Sequence, residues 1–166
     1  MTVKEFVAKE KVKRSTNYSK YIATDYLNYE EKIALCKKII NKSCYIEIDG
    51  EQIFKANTPL RCMLYCLSVI DKYTNIDIDF NNALEDYNLL EKYELSNELI
   101  EAIPQEEIGK LETILKMILD DIFENERSMI SFLDGKFRTI ELSIDTLSSN
   151  LDQNKLKAFI NNKILK

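Results

Sequence analysis

The sequence predicts a mainly α-helical protein built around one long helix, at about residues 105–133, with a small β-hairpin near residues 44–56. Three observations lead there. The 166 residues include three Gly and two Pro beside 45% apolar side chains, so turns are few and one real core can be buried. Ile108, Leu111, Leu115, Ile118, Ile122 and Met129 recur at helical spacing, the pattern of an apolar stripe on a long rod. Asp49-Gly50 is a strong hairpin turn signal.

The elements follow in order. Thr2 and Glu5 have capping-box spacing, which starts a helix over about residues 3–13, with Val3, Phe6, Val7 and Val12 as its thin apolar stripe. Ser15-Thr16-Asn17 breaks it. Asn28 and Glu31 form a second box, and Tyr29, Ile33, Cys36 and Ile40 give that helix a face running to about Lys42. Cys44 to Ile48 alternates, and Ile53-Phe54 opens the return strand. Thr58-Pro59 starts a strongly apolar helix through about Tyr73, with the Thr hydroxyl as cap and Pro in the first turn, where no amide donor is needed. Helices over 80–92 and from Ser96 to Ile103 precede the rod. Gly135 is expected to stop the rod, and Ile140, Leu142 and Ile144 fit a strand or the start of a bent helix equally well. Asp152 caps an expected last helix bearing Leu156, Phe159, Ile160 and Ile164.

The net charge of −5 argues against a dedicated nucleic-acid binder, which needs a surplus of Lys and Arg. Charge is unevenly spread. Residues 1–20 hold six bases against two acids, residues 98–126 hold nine acids against two bases, and residues 150–166 hold four Lys against Asp152. The expected organisation is a basic N-terminal arm or helix, residues 1–20, and a single helical domain, residues 21–166. No apolar run reaches the ~20 residues of a membrane span, and no secretory signal opens the chain. Cys36, Cys44, Cys62 and Cys66 are therefore expected as reduced thiols packed in a cytoplasmic protein.

Catalytic constellations are scarce. The chain has no His, which removes the usual base behind a Ser or Cys nucleophile and the commonest nitrogen ligand for metals. Three scattered Gly make neither a phosphate loop nor a dinucleotide fingerprint. Asp120, Asp121 and Glu124 could share a Mg²⁺ ion on adjacent helical turns, but no second acidic helix or phosphate-gripping bases accompany them. Asp77-x-Asp79-x-Asn81 opens like a calcium loop, yet Asn82 and Asn88 stand where its Gly and bidentate Glu belong. No cofactor or metal is expected. The charge split instead nominates contact surfaces, with Lys9, Lys11, Lys13 and Arg14 on one side and Asp120, Asp121 and Glu124 on the other, binding a protein partner or a second copy.

The abundance of Asn, Lys and Ile, with blocks such as Tyr-Glu-Glu-Lys-Ile-Ala-Leu-Cys (29–36) and Asp-Asp-Ile-Phe-Glu-Asn-Glu-Arg-Ser (120–128), resembles the small accessory and morphogenesis proteins of tailed bacteriophages. That resemblance implies a non-enzymatic assembly component, such as a tail-assembly chaperone or a head or tail accessory subunit, in the host cytoplasm or the virion. Two other functions fit the residues: an anti-defence or regulatory inhibitor whose acidic face mimics nucleic acid, and a Mg-dependent hydrolase using the acidic helix.

Overall fold

The computed structural model describes residues 1–12, 14, 17–48 and 50–150, with 48, 51, 52 and 143–150 as backbone alone. The expected last helix after Asp152 lies outside the described residues. The protein is mainly helical: α1 (Val3–Val12), α2 (Tyr29–Cys44), β1 (Tyr45–Ile48), β2 (Glu51–Phe54), α3 (Thr58–Tyr73), α4 (Ala83–Lys92), α5 (Leu95–Glu101) and α6 (Gln105–Asn150). The chain divides into two compact units, one ending at Asp120 and one starting at Asp121.

Local chemistry sets most boundaries. In α1 the Thr2 amide donates to the Glu5 carboxylate at 2.9 Å, and the Glu5 amide to the Thr2 hydroxyl at 3.3 Å. Asn28 and Glu31 repeat this exchange at α2, both at 2.9 Å. Each box satisfies amides that have no partner within the helix. At α3 the cap is one residue earlier than expected, because the Asn57 side chain accepts from the Leu60 amide at 3.0 Å and Thr58 is already helical. Asp79 folds over the approach to α4, accepting from the Asn81 amide at 3.0 Å and the Asn82 side chain at 2.7 Å. These bonds hold its carboxyl below the usual range, the Asn82 bond most. The residues that resembled a calcium loop thus act as a local turn.

The hairpin pairs Tyr45 with Phe54 and Ile46 with Ile53 in antiparallel register, its turn using Gly50 at φ +84°, a backbone angle that costs Gly nothing. The ladder continues where Lys55 donates to Cys44 and Asn57 to Ser43, both at 2.8 Å, so the hairpin joins the end of α2 directly to the start of α3.

In the first unit α3 supplies both halves of the core. Leu67 and Ile70 pack with Val3, Phe6 and Val7 of α1, with Tyr18 and Tyr21, and with Leu90, Leu95 and Leu99. Leu64, Val69 and Tyr73 pack with Leu35, Cys36 and Ile39 of α2 and with Ile108 and Leu111 of α6. The buried face of α2 is Lys32, Leu35, Cys36, Ile39 and Ile40, while Tyr29, expected on that face, is exposed.

The long helix is longer than its sequence suggested. Gly135 does not end it, and the segment left open between strand and helix at 140–144 is helical. A Gly inside a helix costs only about 1 kcal/mol against Ala, and among the described residues neither a Pro nor a left-handed residue follows to stop propagation. Gly109 also lies inside α6, and both Gly carbonyls accept a Thr hydroxyl one turn on, from Thr113 at 2.7 Å and Thr139 at 2.8 Å.

Candidate interaction surface

The basic N-terminal residues meet acidic ones of their own unit. The Lys4 ammonium lies 3.0 Å from Glu85, and that hydrogen bond raises its pKa above the ordinary value. Arg14 reaches Glu98 at 3.6 Å and Glu94 at 3.7 Å and donates to the Tyr93 carbonyl at 3.3 Å. Lys9 and Lys11 lie over the rings of Tyr21 and Tyr93, at 5.3 and 5.7 Å from the centroids. Lys13 lies outside the described residues. All these contacts are exposed and salt-screened, so each is worth little stability. They nevertheless match the charges of α1 to those of α4, and Arg14 to Glu98 of α5.

Of the acidic set, Asp120 closes the first unit, and Asp121 and Glu124 belong to the second; all three are exposed. Among the described residues no group of three or more His, Cys, Asp or Glu is arranged to hold a metal ion, and no helix is long and apolar enough to cross a membrane.

The cysteines divide by environment. Cys36 and Cys44 are buried, Cys66 is half-buried and Cys62 is exposed, none of them in a disulfide. Core packing, expected for all four, therefore does not extend to Cys62. Burial pushes the thiols of Cys36 and Cys66 up to about 11, with the neighbouring Cys62 adding to the shift at Cys66. Because the thiolate is the reactive form, a maleimide at pH 8 should label Cys62 first, and Cys36 and Cys44 only on unfolding. Equal labelling of all four in the native protein, read by mass spectrometry, would contradict these environments.

The first unit carries an open groove of about 650 Å³ lined by Tyr26, Tyr29, Gly109, Lys110, Thr113 and Met117, its surface mainly apolar. Lys32 forms part of its wall and is engaged from behind by Glu107 at 2.7 Å. On its rim Lys110 pairs with Glu106 at 2.8 Å.

In the second unit α6 presents large apolar side chains to solvent: Met129 (59% exposed), Ile130 (59%), Phe132 (62%), Leu133 (44%), Phe137 (61%) and Ile140 (53%). At 3.6 residues per turn, five of them, all but Phe132, fall within an arc of about 100°. Charged residues flank that arc on one side: Arg127, Asp134, Arg138 and Glu141. Isolated exposed apolar residues are ordinary on a protein surface, but a contiguous face of this kind marks a contact site. Sequence reading missed it because the expected stop at Gly135 cut the stripe in two; the spacing of Leu133, Phe137 and Ile140 was the available signal. No family model, curated protein or solved structure matches this chain.

Proposed function

We propose that the chain is a non-enzymatic protein-interaction protein, a component of phage particle assembly such as a tail-assembly chaperone or a head or tail accessory subunit, acting in the host cytoplasm or within the virion. The observation that carries the contact role is the exposed apolar face of α6 from Met129 to Ile140. Covering five or six large apolar side chains supplies association free energy at about 25 cal/mol per Å² buried, before the entropy of association is subtracted. The phage assignment rests on the compositional resemblance and the two sequence blocks. A helix face is also how an assembly factor can hold a partner's own apolar helix until it is needed.

The test is co-purification of the tagged chain from an infected cell, beside a Leu133→Asp/Phe137→Asp variant. The expected result is recovery of capsid or tail structural proteins, lost in the variant while circular dichroism stays unchanged. Recovery of a host enzyme instead would favour the inhibitor reading, and recovery unaffected by the variant would remove this face from the proposal.

A further inference from the structure

The apolar face of α6 fits a second copy of itself, and we infer that the chain self-associates through antiparallel pairing of residues 122–140. This rests on the reading of that face as a contact site and names its partner. Ile122, Glu126, Met129, Leu133, Phe137 and Ile140 follow one another at steps of three or four and so lie along one seam of the helix. Laid antiparallel on a copy, with Met129 level with Leu133 of the other chain, the seam closes on itself. Ile122 then meets Ile140, and Phe137 comes within one residue of level with Glu126. Every position of the seam is used, as a two-fold interface requires.

Charge selects the direction. Glu126 sits in the middle of the apolar arc, half-buried, with no ion-pair partner among the described residues. A carboxylate covered by an apolar surface is costly unless an opposite charge reaches it. In the antiparallel register Lys136 of the other copy stands level with Glu126. Its ammonium lies 5.3 Å from the Phe132 ring centroid of its own helix and borders the seam. On the other flank Arg127 comes within one residue of level with Asp134, and the two-fold axis repeats both pairs. Parallel pairing would instead set Glu126 against Glu126 inside the seam, with like charges opposed. The polar residue in the seam thereby fixes orientation, as buried polar positions do in helical pairs.

Sedimentation of the full chain at about 0.1 M salt tests this, since exposed charge pairs still act at that screening length. A dimer is expected. Glu126→Lys, which places Lys against Lys136, should raise its dissociation constant about tenfold, and Glu126→Lys/Lys136→Glu should restore it. Single-variant weakening with double-variant recovery arises from the antiparallel register alone, because parallel pairing exchanges one like-charge contact for another. Leu133→Asp should abolish the dimer without loss of helix. A dimer indifferent to Glu126→Lys or to Leu133→Asp overturns the inference, since the copies then meet elsewhere or in another register. A monomer at all concentrations also overturns it. In that case capture of another protein that Leu133→Asp abolishes leaves the contact reading of the face standing, and capture that Leu133→Asp does not change removes that reading as well.

Discussion

Phe6→Ala is expected to cost the folded state about 3–5 kcal/mol, the range for removing a large aromatic side chain from a packed core. Phe6 is fully buried. Its ring meets Tyr21 edge-on with centroids 4.9 Å apart and an interplanar angle of 85°, and Tyr18 at 6.5 Å, arrangements that add to the area it buries. Tyr21 in turn donates its hydroxyl to the buried Glu10, and Lys20 stands 3.6 Å from the same carboxylate. Removing Phe6 therefore opens a cavity beside a polar group that depends on the surrounding packing. Val12, on the same helix but 87% exposed, is the control, and Val12→Ala should change stability by less than about 0.5 kcal/mol. Urea unfolding measures both. A Phe6→Ala cost below about 1 kcal/mol would mean that the first helix is dispensable to the core.

The contrast between these two valine and phenylalanine positions shows which parts of the fold a sequence exposes. Rules that act over three or four residues were legible: both capping boxes, the Asp49-Gly50 turn and the apolar face of α3 follow from side chains close in sequence. Partners distant in sequence were not. The face of α2 was assigned to Tyr29, Ile33, Cys36 and Ile40 on apolar spacing alone, which leaves out Lys32. Its true face turns toward Lys32 because a lysine can bury its stem when an acid, here Glu107, waits 75 residues along the chain. The basic surplus of residues 1–20 was visible as a count, but that Glu85, Glu94 and Glu98 answer it is a fact of packing. For the candidate surface, Met129 and Ile140 were both noticed. They were not joined, because Gly135 was weighed as a stop signal when only its modest helix penalty applied.

The second large effect concerns that buried pair. Lys32 and Glu107 side chains are 4% and 7% exposed and approach to 2.7 Å. The Lys32 ammonium also donates to the Leu27 carbonyl and lies 4.5 Å from the Tyr26 ring centroid, while the Leu27 amide donates to Glu107 at 3.3 Å. Burial alone would push the Glu107 carboxyl up. The hydrogen bonds from Lys32 and Leu27, with the charges of Lys32 and Lys110, outweigh it and hold the carboxyl below its ordinary 4.5. Removing Glu107 leaves the buried Lys32 ammonium without its acid, and removing Lys32 leaves the buried Glu107 carboxylate only the half-exposed Lys110 at 3.5 Å, so Lys32→Met or Glu107→Leu should each cost about 3–5 kcal/mol. Lys32→Met/Glu107→Leu, which removes both charges at similar volume, should recover most of that loss, because desolvation and attraction largely cancel in the native pair. The pH dependence has a definite sign. A carboxyl whose folded pKa is depressed stabilises the fold fully above its unfolded value, and the contribution is lost as pH falls through the folded value. Denaturant unfolding from pH 7 down through 4.5 should show the native protein losing a component of stability that the double variant lacks. Parallel losses in the two proteins, or single variants no worse than the double, would show that the pair holds nothing together.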